Sequence, residues 1–282
     1  MMASSTMSAV SIRARTHLMR RWITQTQCPS SYFQTVVSRW GSRARPVERS
    51  ANGPSVRYFL HLHHPHNRYE RGEKMSLTRE KFLQGMTTQQ YIDQIKVNKQ
   101  PFIDIHEAVK VPEAVQKQFD GLSAPLNLAV FTADWCGDAM STTPSILRLA
   151  ESTDGLVVNV FNRDKELELS NTFLPEERAG TVPIFVVCDS DMNEIARFVE
   201  TAHELVPDID AMDGNIDKEL EGQSEGDARR LRRGKRTEYR VSHANQWGAV
   251  ILQSFADTVA RGLTLSDDQR PAVGGTEWPP AG

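Results

Sequence analysis

The chemistry in this chain centres on one cysteine. Residues 131–150 read FTADWCGDAMSTTPSILRLA: the end of an apolar run, a Trp135-Cys136-Gly137 turn, and then a helical stretch. A cysteine at a helix amino terminus faces unpaired backbone N–H groups and the positive end of the helix dipole, both of which favour thiolate over thiol. On that account the pKa of Cys136 is expected below the free value of about 8.5. Asp138, two residues on, opposes the shift by like-charge repulsion, and the motif alone leaves the net shift open. One helical turn beyond Cys136, where a dithiol mechanism needs a second sulfur, stands Ala139. A lone thiolate can attack a disulfide and form a mixed disulfide, which only an external thiol can then release.

The elements that must position this cysteine are legible from hydrophobic patterning. LNLAVFT (126–132) is a short apolar run after Pro125 and reads as a buried strand. A helix is expected over 137–152, followed by a strand at 156–161 and a short helix near 166–173. Strands at 183–188 and 194–199, joined by the turn DSDMN, close the pattern as a hairpin. The order β-α-β-α-β-β indicates an α/β sheet flanked by helices. Upstream, helices are expected near 88–97, with Thr88 as N-cap, and from Pro112 to Gly121. Downstream, Trp247, Val250, Ile251, Phe255, Val259 and Leu263 form an apolar helical stripe.

Charge divides the chain. Residues 1–74 hold 12 Lys and Arg against 3 acids, a balance of +9, which leaves −12 for residues 75–282. The first 47 residues contain no acid and are rich in Ser and Arg, the composition of a mitochondrial transit peptide. The preferred reading is that translation begins at Met75, behind a purine-rich coding possibility for Arg71–Lys74, with 1–74 an over-extended frame. The cytoplasm is then the expected location, with the mitochondrion as the alternative. The basic run Arg229–Arg240 follows an acidic stretch at 208–227, so a charge-complementary pair of helices, or one solvated helix, is preferred to a nucleic-acid or membrane surface. No span of about 18 consecutive apolar residues occurs, so no membrane helix is expected. The histidines of HLHHPH (61–66) are read as incidental, and no metal site is expected. The division that follows is an N-terminal extension (1–74), a helical flank (75–123), a core (124–200), C-terminal helices (201–264) and an irregular tail (265–282).

TADWCGDA, followed at a distance by GTVP (180–183), resembles the thioredoxin family, in a bacterial branch carrying Trp-Cys-Gly-Asp without the second cysteine. The resemblance covers roughly 124–200 and implies a thioredoxin fold, a central mixed sheet flanked by helices, here with extra N- and C-terminal helices. It implies Cys136 as the reactive residue and Trp135, Gly137, Asp138, Val182 and Pro183 as substrate-binding residues. Pro183 would be a cis-proline facing the cysteine, with the backbone of Val182 free to pair with an extended substrate. Pro144 would kink the active-site helix. Val130 stands where the family keeps a buried carboxylate, so that group is missing together with the second sulfur.

Cys188 lies five strand residues beyond Pro183, on the order of 16 Å along the sheet, whereas a disulfide needs Cα atoms within about 7 Å. Cys28 falls in the N-terminal extension. The leading expectation is therefore monothiol exchange with protein or low-molecular-weight disulfides. No bound cofactor is expected, although glutathione would serve as the resolving thiol. Glutaredoxin-like chemistry is weaker, because Cys188-Asp189-Ser190-Asp191 replaces the Gly-Gly pair that family places after the strand. The alternative is a peptide-binding module without redox chemistry. Arg163-Asp164 is read as a surface salt bridge.

Overall fold

The computed structural model describes residues 76–276. The expectations for 1–75, including Met75, Cys28 and the histidine run, lie outside the described residues, as do residues 277–282.

The sheet forms where the apolar runs placed it. Strands β1 (Leu126–Thr132), β2 (Leu156–Asn162), β3 (Ile184–Cys188) and β4 (Glu194–Val199) match the expected bounds to within a residue. A fifth strand, β5 (Ala272–Gly275), completes the order β2-β1-β3-β4-β5. β1 runs parallel to β2 and antiparallel to β3; β4 is antiparallel to β3 and parallel to β5. β5 corrects the expectation of an irregular tail. It was hidden because AVGG lacks a strand's apolar alternation and is specified by its neighbour: a Cβ on Gly275, whose φ is +89, would lie 2.1 Å from the Val199 carbonyl oxygen.

Alternation along the strands sorts their side chains onto two faces. Leu128, Val130, Val160, Phe185, Val187 and Phe198 join the larger core, and Ala129, Phe131, Phe161, Ile184, Val186 and Cys188 the smaller. Over the smaller face lie α1 (Arg79–Phe82) and the short helix α6 (Leu167–Asn171), which contribute Phe82 and Leu169.

The larger core takes Tyr91 from α2 (Thr88–Gln94), Phe102 and Ile105 from α3 (Lys99–Ala108), and Val115 and Phe119 from α4 (Glu113–Asp120). Thr87, one residue before the expected cap, closes α2 through a reciprocal capping box with Gln90. α3 lies outside the expected helices; its Pro101 sits in the first turn, where no intrahelical N–H is lost. Its Phe102, Ile105 and Val109 spacing was the available signal.

The helix after the cysteine, α5 (Gly137–Glu151), runs through Pro144 and is buried along most of its length. α7 (Val206–Glu219) and α8 (Glu225–Ser242) form the charge-complementary pair: Arg236 grips Asp213 with two bonds of 2.6 and 2.7 Å, Lys235 meets Glu219 at 2.6 Å, and Arg232 meets Asp217. The apolar stripe forms α9 (Ala244–Thr264), whose Trp247, Ile251, Phe255 and Val259 are buried while Leu263 is exposed. Phe255 packs among the rings of Phe119, Phe185 and Phe198, joining α4, β3 and β4. No helix among the described residues is long and apolar enough to cross a membrane.

Candidate functional site

Parallel pairing of β1 with β2 delivers the Trp135 turn to one end of the sheet, and antiparallel β3 begins at the same end, where Ile184 pairs with Phe131. Cys136 is the N-cap of α5 and has extended backbone angles. Its thiol points across to the neighbouring loop and donates to the Val182 carbonyl oxygen at 3.4 Å, and the Val182–Pro183 peptide is cis. Cys136, Val182 and Pro183 are thus brought together. Ala139 is 1 % exposed and supplies no second sulfur.

The remaining cysteine is remote for two reasons. Cys188 pairs with Asn127 at the opposite end of β1, and its side chain belongs to the smaller core on the other sheet face. Both described cysteines are free thiols.

Trp135 lies beside the thiol, half exposed at 49 %. Its indole N–H donates to Asp164 at 2.8 Å, and the Arg163 guanidinium sits 5.2 Å from its ring centroid. The salt bridge expected at Arg163-Asp164 forms, although only Asp164 lies at the surface. Arg163 is buried, 3.4 Å from Asp164, and the two residues hold the tryptophan by a cation–π contact and a hydrogen bond. From the N-terminal flank, the N–H groups of Lys96 and Val97 donate to the Asp134 carboxylate at 2.8 and 3.1 Å, fixing the loop that carries the motif.

Asp138 is not left alone against the sulfur. Arg240, near the end of α8, crosses to it at 2.9 Å. Its Nη1 would be 2.9 Å from a Cβ on Gly137, so the missing side chain there makes room for the guanidinium. A second ion pair lies beyond the cis dipeptide: Arg178 donates to Glu200 at 2.6 Å and to the Thr276 carbonyl at 3.0 Å. Three buried arginines, each beside a carboxylate, thus surround the loop and turn that meet at Cys136. Arg178, Glu200 and Arg240 are not marked by any motif or spacing in the sequence. Arg240 lay inside the basic cluster, and nothing in its spacing separated it from the arginines that pair with α7.

The folded chain also decides the thiol's acidity, a balance that the motif leaves open. Burial, then the Asp138 charge, push the Cys136 pKa up to about 12, against the opposing hydrogen bonds from the Ala139 and Asp138 N–H groups, with Glu200 adding a weaker push in the same direction. Helix-end donors are present as expected, but desolvation outweighs them. The resting group is a neutral thiol, consistent with its donating to a carbonyl. Among the described residues no group of histidines, cysteines and acids could hold a metal ion.

A mixed sheet flanked by helices, with a Trp-Cys-Gly turn at a helix amino terminus opposite a cis-proline, defines a thioredoxin-fold protein. Residues 85–211 match the model of a thioredoxin family, Thioredoxin_9. No curated protein matches the chain. Among solved structures, it is similar to a protein of unknown function from Pseudomonas aeruginosa, at 13 % identity and a TM-score of 0.42, over 59 % of this chain and 94 % of that one. An HIV epitope scaffold is similar at 14 % identity and a TM-score of 0.39, with the same coverage of each chain.

Proposed function

We propose that this thioredoxin-fold protein carries out thiol–disulfide exchange through Cys136 alone. The observation behind the reading is the placement of the Cys136 sulfur 3.4 Å from the Val182 carbonyl, at the edge of a cis-prolyl loop where an extended disulfide-bearing peptide can align. In the reaction Cys136 loses its proton to solvent and its sulfur attacks one sulfur of the substrate disulfide. A protein–substrate disulfide forms, and the other substrate sulfur leaves as a thiolate. With Ala139 in the next turn, a second thiolate from outside, such as that of glutathione, attacks the mixed disulfide and restores Cys136. Trp135, Gly137, Asp138, Val182 and Pro183 border the path of approach.

A second reading, peptide binding without chemistry, is favoured by one observation: the raised pKa leaves little thiolate at neutral pH. Incubation of the reduced protein with glutathione disulfide at pH 8, followed by intact-mass and peptide analysis, separates the two. A single glutathionyl adduct on Cys136, removed by added glutathione, is the expected result. A protein that stays unmodified while a peptide still perturbs the signals of Val182 and Trp135 is a binding module.

A further inference from the structure

Cys136 and Glu200 attach to successive carbonyls of one dipeptide. The Cys136 thiol donates to the Val182 oxygen at 3.4 Å, and the Glu200 backbone N–H donates to the Pro183 oxygen at 2.8 Å. Glu200 follows β4 directly, and its φ of +64 places it in the left-handed region that non-glycine residues seldom occupy. A carboxylate there, with its side chain only 19 % exposed, is costly twice over, in backbone conformation and in desolvation. Arg178, itself 4 % exposed, offsets part of the second cost. Neither cost is needed to end a strand. Backbone outliers of this kind concentrate at functional sites.

We propose that Glu200 is a positioning residue for the thiol chemistry: its negative charge, held behind the cis-prolyl loop by Arg178, adds to the influences that keep Cys136 protonated, so the charge state of Glu200 tunes how readily the sulfur reacts. The inference rests on Cys136 being the reactive thiol of the proposed function.

The charges around Glu200 support this reading. Arg178 faces it directly, Thr276 approaches from the segment after β5, and Asp138, already paired with Arg240, acts on it from α5. Burial is the largest influence on Glu200 and raises its pKa to about 7, where Arg178 opposes the shift and Asp138 adds to it. Glu200 therefore changes charge within the range where an exchange reaction operates. As pH rises through that range the carboxylate forms and makes thiolate formation harder, so reactivity should climb less steeply than a single thiol would give.

The test is the rate of iodoacetamide alkylation of Cys136 from pH 5.5 to 9 in the full chain. In wild type the logarithm of the rate should rise with a slope below one around pH 7. Glu200→Gln, whose amide oxygen can still accept from Arg178, should restore a slope of one and raise the rate at pH 8 by about twofold, equivalent to about 0.3 pKa unit. Should that variant fail to fold, Glu200→Gly, which suits the left-handed backbone, carries the same expectation. Glu113→Gln, an exposed carboxylate on α4, should leave the profile unchanged. A slope of one in wild type, or alkylation unchanged or slowed in the Glu200 variants, overturns the proposal. Alkylation needs no disulfide partner, so a failure here is distinct from a failure to form the glutathione adduct.

Discussion

Cys136 is held between influences of opposite sign, and those influences can be altered one residue at a time. Asp138→Asn removes the largest charge acting against the thiolate, so the Cys136 pKa should fall and alkylation at pH 8 should speed up several-fold. Arg240→Gln does the reverse: it leaves Asp138 without its 2.9 Å partner, and alkylation should slow. Measuring both variants by the same alkylation assay checks that the two residues act as a pair. Ala139→Cys places a second thiol one helical turn beyond the first, the separation from which an intramolecular disulfide can close. Insulin-disulfide reduction, expected to be weak in wild type, should then become readily measurable, and an unchanged rate would show that the site lacks more than its second sulfur.

Among the elements, α9 carries the heaviest structural duty. It follows the hairpin of charged helices that brings Arg240 to Asp138, and it docks against β4, whose next residue is Glu200. A Cβ on Gly262 would lie 2.4 Å from the Ile195 carbonyl oxygen, so glycine allows helix and strand to approach closely. Gly262→Ala should cost about 1–3 kcal/mol by forcing the helix off the strand, measurable as a lower urea midpoint. Phe255→Ala, at the meeting point of three other rings, should cost about 3–5 kcal/mol.

For the whole molecule, the buried thiol of Cys188 couples stability to pH. Burial pushes the Cys188 pKa from 9.0 up to about 12, with Glu194 and Asp189 adding to the rise. Between those values the folded protein keeps a proton that the unfolded chain releases, so the contribution of this group to stability is present below pH 9 and is lost as pH rises. The stability difference between wild type and Cys188→Ala should therefore shift against wild type by about 1.4 kcal/mol per pH unit across that window. Urea unfolding at pH 8.5 and pH 10 reads it. A difference independent of pH would mean that Cys188 is hydrated in the folded state.

Local sequence was enough to place β1–β4, α5 and the turn bearing Cys136, because apolar runs of strand length, a proline before β1 and a helical stripe are properties of neighbouring residues. Ala139 and Val130 likewise declared the missing thiol and carboxylate without any structure. Other features depended on the folded chain: β5, the role of Arg163 beneath Trp135, the crossing of Arg240 to Asp138, and the burial of Glu200 behind Pro183. These contacts join residues up to 102 positions apart, and no spacing rule links them. The acidity of Cys136 shows the division most clearly. Helix-end donors are written into the motif, whereas desolvation depends on what the rest of the chain lays over the sulfur, and here it outweighs them.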